Sequence, residues 1–458
     1  MNQETIAAIA TASGTGGIGI IRVSGNKAKQ VLNDIIGTTP KERYALYTKF
    51  KSKDNKQIID EGIALYFKGP NSFTGEDVAE FQCHGGSVVL DILLEEILKL
   101  GYVRQANPGE FSERAYLNGK IDLTQAEAIS DLINATSKQA AISAVNSLQG
   151  TFSKLINEIN SKIIKLRTYV EATIDFPDES IDFIEDGKII SELQIILDQL
   201  DEILSKAKQG VILQEGIKIV IAGKPNAGKS SLLNALCEKD CAIVTNVAGT
   251  TRDVIKEKIN IDGMPIHIID TAGLRDDSDD IVEKIGIEKA WDEIAKANRI
   301  LFILDVSSLS NNDNDPQQEL FKIIKEKTKD AIPFTIIANK TDICPSFELP
   351  EIYKNYPIIK ISAKTLQGIN DLRNHLKDCA GYKNTSEGLF SARRRHLQSI
   401  ESAQIHLQKA LDFISLRQDI ELSAEEMNEA QQNLNEILGR FTSDDLLTEI
   451  FNTFCIGK

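Results

Sequence analysis

The residues whose types and spacing most directly indicate chemistry form one short loop. The run Gly223-Lys-Pro-Asn-Ala-Gly-Lys-Ser230 has the spacing G-x-x-x-x-G-K-S and follows the apolar stretch Ile217–Ala222. Glycines in such a loop let backbone N–H groups converge on phosphate oxygens. Lys229 reaches the terminal phosphates, the Ser230 hydroxyl can ligate Mg²⁺, and a helix over Ser231–Leu236 adds the field of its N-terminus. The pattern predicts a nucleoside triphosphate site.

A second segment supplies further groups for the phosphates. Strands over Val254–Ile261 and Ile266–Ile269, joined by a turn at Asp262-Gly263, predict a hairpin. It leads into Asp270-Thr-Ala-Gly273. This segment places a carboxylate for the Mg²⁺ shell and a glycine N–H near the γ-phosphate.

Two more segments point to guanine as the base. The apolar run Phe334–Ala338 ends at Asn339-Lys-Thr-Asp342, where Asp342 can accept hydrogen bonds from the N1–H and exocyclic amine of guanine. Adenine cannot offer this pair of donors. Ile358–Ile361 ends at Ser362-Ala-Lys364, a backbone segment suited to the guanine O6.

All four segments follow strands, and ligands of doubly wound sheets bind at the carboxyl ends of strands. Four such motifs in the correct order predict a GTP site. The residues that we assign to GTP are Asn226, Ala227, Gly228, Lys229, Ser230, Ser231, Thr245, Asn246, Val247, Ala248, Gly249, Thr250, Thr251, Asp270, Thr271, Ala272, Gly273, Asn339, Lys340, Asp342, Ser362, Ala363 and Lys364.

The group that positions the attacking water is less plain. Small GTPases place a glutamine directly after the D-T-A-G segment, but Leu274 stands there and cannot do so. Glu283 is a candidate through a second water, and Arg252 or Arg275 is a candidate for stabilising charge. Either arginine is equally compatible with a surface role. Thr250 and Thr251 supply the switch threonine that closes on Mg²⁺, for which we assign Thr251.

Composition sets limits on the rest. The length of 458 residues predicts two or three domains. No apolar run is long enough to span a membrane, and the acidic start of the chain is unlike a signal peptide. A cytoplasmic location follows by default. The formal charge of −15 gives no general attraction to nucleic acid.

Cysteines and arginines add little chemistry. Six cysteines are scattered without paired metal spacing, which in a cytosolic chain indicates reduced thiols. We expect all except Cys455 to be small core residues. Arg393-Arg-Arg395 is the one compact basic cluster. It is either a solvated helix start or a phosphate-binding patch.

Outside the segment that carries these motifs, the sequence has two other patterns. Strand-length apolar runs such as Ile18–Val23 and Gly62–Phe67 precede a helix over Ser87–Leu100, which Gly101 closes. Helical spacing then begins near Leu123. It predicts one helix with an apolar stripe from Phe152 to Val170, ended at Pro177, and a second from Gly187 to Lys208.

Helical spacing resumes beyond Asn384. Ser423-Ala-Glu-Glu426 fits a capping box, and Ser443 can cap a last helix. Because the helices on both sides have apolar faces to bury, the simplest arrangement packs them on one another. The α/β block from Gly216 to about Ala380 is then an insertion.

With these residues in view, the chain resembles the MnmE (also TrmE) family of tRNA-modifying GTPases. Every segment that carries the resemblance matches without a departure at the sites of interest, and together they span the chain. They are Gly223–Ser231, Val244–Asp253, Asp270–Arg275, Asn118–Glu127 and the terminal Cys455–Lys458.

The resemblance implies a multidomain fold of α/β and α parts. We expect an N-terminal α+β folate-binding-like and dimerisation domain over residues 1–118. A discontinuous helical domain covers residues 119–215 and 381–458, and a Ras-like P-loop GTPase domain is inserted at 216–380. The resemblance also implies a homodimer.

The implied activity is a step in tRNA modification. With the FAD-dependent partner MnmG, in a heterotetramer, the family installs an aminomethyl or carboxymethylaminomethyl group on C5 of the wobble uridine of certain tRNAs. A potassium ion would take the part of an arginine finger, since a fixed cation near the β–γ bridge stabilises developing charge. Its ligands would be the Asn226 side chain, the carbonyls of Thr245 and Val247, and Thr250, and Glu283 would be the catalytic residue.

The resemblance also implies a one-carbon donor. The N-terminal domain of the family binds a tetrahydrofolate derivative, and the matching residues are Arg22, Glu80, Lys120 and Lys458. A pterin offers donors that suit Glu80, and a glutamyl tail offers carboxylates that suit Arg22 and the lysines. Cys455 is either a core thiol at a helix end or a functional thiol near the folate.

One glycine-rich segment needs a separate interpretation. Gly14-Thr-Gly-Gly-Ile-Gly19 matches the dinucleotide fingerprint G-x-G-x-x-G. That fingerprint follows a strand and opens a helix, whereas here Ile18–Val23 is predicted as a strand after the glycines. We therefore expect a glycine-rich loop beside the folate domain.

Two alternatives to a tRNA-modifying enzyme remain open. One is a regulatory switch or ribosome-assembly GTPase whose flanking domains only bind partners. The other makes the N-terminal domain a folate enzyme in its own right. The terminal Cys-Ile-Gly-Lys and the Asn118–Glu127 segment favour tRNA modification, since a plain switch needs neither.

Overall fold

The computed structural model describes residues 4–54, 56–175, 188–237, 256–270, 291, 294–309, 315–329, 331–383, 388–416, 419–440 and 444–457. The chain forms two compact units. The first contains residues 1–130, 147–197 and 399–458, and the second contains residues 131–146 and 198–398.

The first unit contains a six-stranded sheet with the order β3-β4-β5-β2-β1-β6, in which only β1 and β6 pair in parallel. Two helices, α1 and α2, cover one face and bury Leu32, Phe81 and Leu93 there. Side chains alternate along a strand, so β2 turns Ile21 and Val23 into this core and Arg22 to the other face. The bounds are β1 Thr5–Ile9, β2 Gly16–Ser24, α1 Ala28–Ile36, β3 Leu46–Lys51, β4 Ile58–Phe67, β5 Val78–Gly85, α2 Ser87–Leu98 and β6 Val103–Gln105.

A second sheet, described below, is both preceded and followed by helices in the sequence. Before it come α3 Glu110–Leu117, α4 Leu123–Asn134, α5 Lys138–Leu148, α6 Thr151–Asp175 and α7 Lys188–Glu215. In the first unit α6 packs along the C-terminal helix Ile420–Ile437, and their buried Asn160 and Asn435 side chains are hydrogen-bonded at 3.0 Å.

The second unit contains a six-stranded sheet with the order β12-β11-β10-β7-β9-β8, parallel except for β8. Both faces are apolar, as parallel sheets require: Ile219 and Ile221 lie in one core, Val220 and Ala222 in the other. The carboxyl ends of five strands therefore meet at one edge. The bounds are β7 Ile217–Gly223, α8 Lys229–Cys237, β8 Lys256–Ile261, β9 Met264–Asp270, β10 Arg299–Asp305, α9 Pro316–Thr328, β11 Phe334–Asn339, α10 Glu351–Lys354, β12 Ile358–Lys360, α11 Ile369–Ala380, α12 Arg394–Ser415, α13 Ile420–Ile437 and α14 Asp444–Asn452.

Several local predictions are confirmed. The hairpin turn has positive φ at both Asp262 (51°) and Gly263 (96°), as a type I′ turn requires. The predicted strand at Ile18–Val23 is also confirmed as part of β2, which includes Gly16, Gly17 and Gly19. Because these glycines lie in a strand and do not open a helix, the dinucleotide fingerprint is excluded. The second long helix is longer than predicted, because buried Val211 and Leu213 continue it to Glu215, and only Gly216 separates it from the strand that begins at Ile217.

The predicted capping box at Ser423 is wrong. The helix begins earlier, because the Asp419 side chain accepts a hydrogen bond from the Leu422 backbone N–H and caps it. Ser423 is instead fully buried inside the helix, where its hydroxyl donates to the Ala410 carbonyl at 3.1 Å. Pro177 and Ser443 lie outside the described residues.

The expectation that the cysteines are core residues holds only in part. Cys83 is buried, and burial raises the pKa of its thiol to about 11. Cys237 packs partly buried against a core, but Cys379 is exposed and the expectation is wrong for it. Cys241 lies outside the described residues. The helices of the described ranges include none long and apolar enough to cross a bilayer.

The corrected cap gives a direct test. Asp419→Ala should remove the hydrogen bond to Leu422 N–H, which at a typical cost of about 1 kcal/mol speeds amide exchange in the first turn of α13 about fivefold. Hydrogen exchange read by mass spectrometry measures this. Asp419→Asn retains a capping oxygen and is the matched control. Unchanged exchange in Asp419→Ala would show that another group begins this helix.

Candidate functional site

The loop between β7 and α8 has the backbone of a phosphate cradle. Gly228 has φ of +101°, and a Cβ there would lie 2.2 Å from the Asn339 side-chain nitrogen, so only glycine fits. Asn226 also has positive φ, 65°, and its side chain is exposed. The Lys229 ammonium donates to the Gly223 carbonyl at 2.8 Å and to the Lys224 carbonyl at 3.1 Å, which holds it over the loop.

One buried side chain connects three of the predicted motifs. Asn339 is 2% exposed at the end of β11. Its amide nitrogen donates to the Ala227 carbonyl at 2.8 Å, and its amide oxygen accepts from the Ala363 backbone N–H at 3.1 Å. The phosphate loop and the two base-reading segments are therefore joined through one carboxamide.

The two segments predicted to contact the base differ in which side chains they expose to solvent. The side chains of Asp342 and Lys364 are exposed, whereas Ser362 is buried. Thr341 ties the two segments together, because its N–H and hydroxyl both donate to the Ile361 carbonyl at 3.2 and 3.0 Å. This arrangement presents the Asp342 carboxylate where an N1–H and an amine can reach it.

Asp305 is a site residue that the sequence reasoning missed. It ends β10 beside Asn339 in register, and its carboxylate pairs with the Lys340 ammonium at 2.5 Å. Burial alone would raise the pKa of Asp305, but hydrogen bonds from Lys340 and Ser307 lower it below the usual value. The signal was available: the apolar run Ile300–Leu304 ends at this aspartate, as the other strands end at their motifs.

Residues whose oxygen atoms could hold a magnesium ion lie at the carboxyl edge of the second sheet. Asp270 ends β9 in register with Ile221, and the exposed Ser230 and Ser231 begin α8. Carboxylate and hydroxyl oxygens suit Mg²⁺, which keeps several waters. In the described ranges, no three His, Cys, Asp or Glu side chains gather into a metal-binding group.

Many of the predicted site residues fall outside the described residues. This applies to the segment that would close over the phosphates, to most potassium ligands and to the water-positioning group. They are Thr245, Asn246, Val247, Ala248, Gly249, Thr250, Thr251, Arg252, Thr271, Ala272, Gly273, Leu274, Arg275, Glu283 and Lys458.

The basic cluster has a structural explanation for two of its members. Arg393 pairs with Asp131 at 3.1 Å, and Arg394 pairs with Glu215 at 2.9 Å where α12 begins. Of the two interpretations, the helix start fits these contacts.

In the first unit, the structure brings two predicted folate residues together. Arg22 on β2 and Glu80 on β5 are register partners, and their side chains form an ion pair at 2.9 Å. The Arg22 guanidinium lies 5.7 Å from the ring centroid of Phe73 and 5.9 Å from that of Phe111, within cation–π range. Two aromatic rings thus lie beside the guanidinium of this ion pair.

The other folate residues lie around the same strands. The Lys120 ammonium donates to the Pro70 carbonyl at 2.9 Å, in the loop that carries Phe73. At the C-terminus, Gly457 lies so close to Ile9 that a Cβ would be 2.2 Å from the Ile9 carbonyl oxygen. The terminal segment thus runs beside β1, whose Ala8 pairs with Arg22. Cys455 is exposed, so its interpretation as a core thiol is wrong.

Comparison with known proteins gives matches over nearly the whole chain. A family model described as the MnmE helical domain matches residues 123–455, and one described as the GTP-binding protein TrmE N-terminus matches residues 5–120. Among curated relatives, the tRNA modification GTPase MnmE of Pseudoalteromonas translucida is 56% identical over 458 residues. The proteins of that name from Pasteurella multocida and Vibrio parahaemolyticus are 56% and 55% identical. In all three cases the match covers 100% of both chains.

The second sheet, with its single antiparallel edge strand β8, and the motifs at its carboxyl edge define a Ras-like P-loop GTPase. It is an enzyme that hydrolyses GTP. With the relatives and family models taken together, the chain belongs to the MnmE family.

The junction at Asn339 can be tested by substitution. Asn339→Ala should weaken GTP binding at least tenfold, because it leaves two buried backbone groups, Ala227 C=O and Ala363 N–H, without their partner. Titration with a fluorescent GTP analogue measures the change. Asn339→Asp keeps the acceptor for the Ala363 N–H, so its GTP affinity should lie between those of wild type and Asn339→Ala.

A matched control lies at the opposite end of the sheet. There the Asn298 side chain accepts from the Lys218 backbone N–H at 2.8 Å. Asn298→Ala should leave GTP affinity unchanged. Equal losses in both variants would mean that the effect is one of general stability and not of the nucleotide site.

Proposed function

We propose that this protein is a potassium-dependent GTPase of tRNA modification. With the FAD-dependent partner MnmG it adds an aminomethyl or carboxymethylaminomethyl group at C5 of the wobble uridine of certain tRNAs, with a tetrahydrofolate derivative as one-carbon donor. Support comes from full-length relatives that carry the name tRNA modification GTPase. The structural observation that carries the GTPase part of the proposal is that the Asn339 side chain joins three predicted GTP motifs by its hydrogen bonds.

Within this proposal, each nucleotide residue has a defined task. The loop N–H groups from Asn226 to Ser230 hold the β- and γ-phosphates, and Lys229 neutralises their charge. Asp342 accepts from the guanine edge, with Asp305 fixing Lys340 beside it. Ser230 and Thr251 would hold Mg²⁺, which would supply charge stabilisation, and Asp270 would add a carboxylate to its shell.

Hydrolysis requires groups that replace the missing glutamine and arginine finger. We assign water positioning to Glu283. Potassium, when bound, supplies positive charge at the β–γ bridge, and Asn226, Thr245, Val247 and Thr250 hold it. The Asn226 side chain is exposed and therefore accessible to an ion, which favours this assignment.

The proposed binding of the one-carbon donor depends on the charged residues around Arg22 and Glu80 in the first unit. Glu80 accepts from the donors of a pterin, and Arg22, Lys120 and Lys458 pair with carboxylates of the glutamyl tail. Gly457, which precedes Lys458 in the sequence, approaches the Ile9 carbonyl on β1, and this supports assigning Lys458 to the folate. Cys455, exposed in the same terminal segment, is a candidate functional thiol there.

The proposal includes an assembly and a domain division. We propose a homodimer that joins MnmG in a heterotetramer and acts on tRNA in the cytoplasm. Residues 1–118 form the folate-binding and dimerisation domain, residues 119–215 and 381–458 the helical domain, and residues 216–380 the GTPase domain.

The cation mechanism predicts a clear ion dependence. GTP hydrolysis should be at least tenfold faster in K⁺ than in Na⁺ at equal ionic strength, because Na⁺ is too small for the proposed ligands. Phosphate release in the two salts measures this. Asn226→Ala should abolish the difference, whereas Asn234→Ala, an exposed asparagine on α8, should retain it. Equal wild-type rates in both salts would remove potassium from the mechanism.

The tRNA assignment is tested in cells. Deleting the gene should remove the C5-modified wobble nucleosides, which mass spectrometry of hydrolysed tRNA detects. Re-expression of the wild-type chain should restore them, and Asn339→Ala should not. Unchanged nucleosides in the deletion strain would favour a regulatory or ribosome-assembly GTPase instead.

A further inference from the structure

Phe73 is an apolar side chain exposed beside the Arg22–Glu80 pair. It is 38% exposed, and its ring centroid lies 5.7 Å from the Arg22 guanidinium carbon. Single exposed apolar residues are common on protein surfaces, so exposure alone carries no conclusion. What distinguishes Phe73 is how firmly its loop, residues 69–76, is held.

Hydrogen bonds fix the loop on both sides of Phe73. The Ser72 hydroxyl donates to the Glu76 carbonyl at 2.5 Å, which closes the loop on itself. Thr74 is fully buried, and its carbonyl accepts from the Asn118 side chain at 2.7 Å. Earlier in the loop, Gly69 N–H donates to the Asp77 carboxylate at 2.9 Å. The backbone around Phe73 is therefore held in one conformation.

A buried ion pair anchors the end of the loop. Arg114 on α3 is 3% exposed and donates to Glu76 at 2.9 Å and to Glu110 at 2.8 Å. Burial alone would raise the pKa of Glu110, but hydrogen bonds from Arg104, the Asn107 N–H and Arg114 lower it to about 2. Glu110 is thus ionised at neutral pH, and the bonds of Arg114 to both carboxylates hold the loop against α3.

The same loop also contacts a second residue assigned to folate. Lys120 donates to the Pro70 carbonyl at 2.9 Å, and its Cγ would lie 3.3 Å from a Cβ placed on Gly75. Arg22 and Glu80 on the strands and Lys120 after α3 thus border one rigid loop. Phe73 is the exposed aromatic side chain of that loop.

We propose that Phe73 is a stacking surface for the reduced pterin, and that Arg114 is the positioning residue that holds its loop through Glu76. This inference rests on the proposed folate function. A pterin has a planar pyrimidine half whose edge carries N–H donors and whose faces are apolar. Glu80 suits the edge, and an aromatic ring suits a face.

Rigidity is what makes this arrangement useful for binding. A loop that is already ordered loses little conformational freedom when a ligand arrives, so more of the contact energy appears as affinity. A mobile phenylalanine would have to be immobilised first. The bonds to Ser72, Thr74 and Glu76 place that cost in folding instead of binding.

The test compares two probes on the full chain. One is 5-formyltetrahydrofolate, a stable tetrahydrofolate, and the other is a tetrahydropterin that lacks the glutamate. Phe73→Leu should weaken binding of both about tenfold, since stacking on an aromatic side chain contributes to each. Phe73→Tyr keeps the ring and should bind within about twofold of wild type. Isothermal titration measures the affinities of wild type and of both variants for each probe.

Two further variants separate stacking from general stability. Tyr47→Leu removes another exposed aromatic residue of the same sheet, 70% exposed on β3, and should leave both affinities unchanged. Arg114→Lys keeps the charge with fewer hydrogen bonds and should weaken both probes by an intermediate factor. A purely structural Arg114 would instead lower the melting temperature and leave the affinities of the folded protein unchanged.

The outcomes distinguish this inference from the folate proposal. If wild type binds and Phe73→Leu binds equally well, the stacking role is wrong and the folate proposal stands. If only the glutamylated probe weakens in Phe73→Leu, the ring contacts the tail and the inference is also wrong. If wild type binds neither probe, the folate proposal fails and this inference fails with it.

Discussion

The nucleotide site depends on one carboxamide. Asn339 donates to the phosphate loop and accepts from the segment predicted to contact the base, so two regions more than 100 residues apart share one buried side chain. Gly228 must be glycine because the Asn339 nitrogen occupies the space of its Cβ. A buried amide with both ends satisfied specifies one geometry, since any displacement leaves a buried polar group unpaired. The distance between the phosphate and base contacts is set in this way.

The position of the site could be predicted from sequence for a simple physical reason. A parallel sheet brings its carboxyl ends to one edge, so an apolar run followed by polar residues marks that edge each time it occurs. The same rule would have found Asp305, which follows Ile300–Leu304. It was missed because no named motif begins there. The rule is therefore more general than the motifs to which it was applied.

Contacts between distant segments could not be predicted from the sequence. The helix start at Asp419 competes with Ser423 for the same role, and the choice depends on the Ala410 carbonyl, which takes the serine hydroxyl. The pairing of Arg22 with Glu80 likewise depends on the register of β2 and β5. Only the family resemblance pointed to these two residues, since local patterns contain no information on register across 58 positions.

The buried ion pairs of Arg114 with Glu76 and Glu110 provide precise positioning, although burying their charges costs desolvation energy. Two carboxylates and a guanidinium out of water are no more stabilising than well-packed apolar side chains. Apolar contacts, however, tolerate small shifts, whereas the bonds of Arg114 to Glu76 and Glu110 fix direction as well as distance. A loop that only had to cover a core would not need this. A loop that must hold one aromatic ring at one place beside Arg22 does, and the ion pair is therefore better explained by the position of Phe73 than by stability.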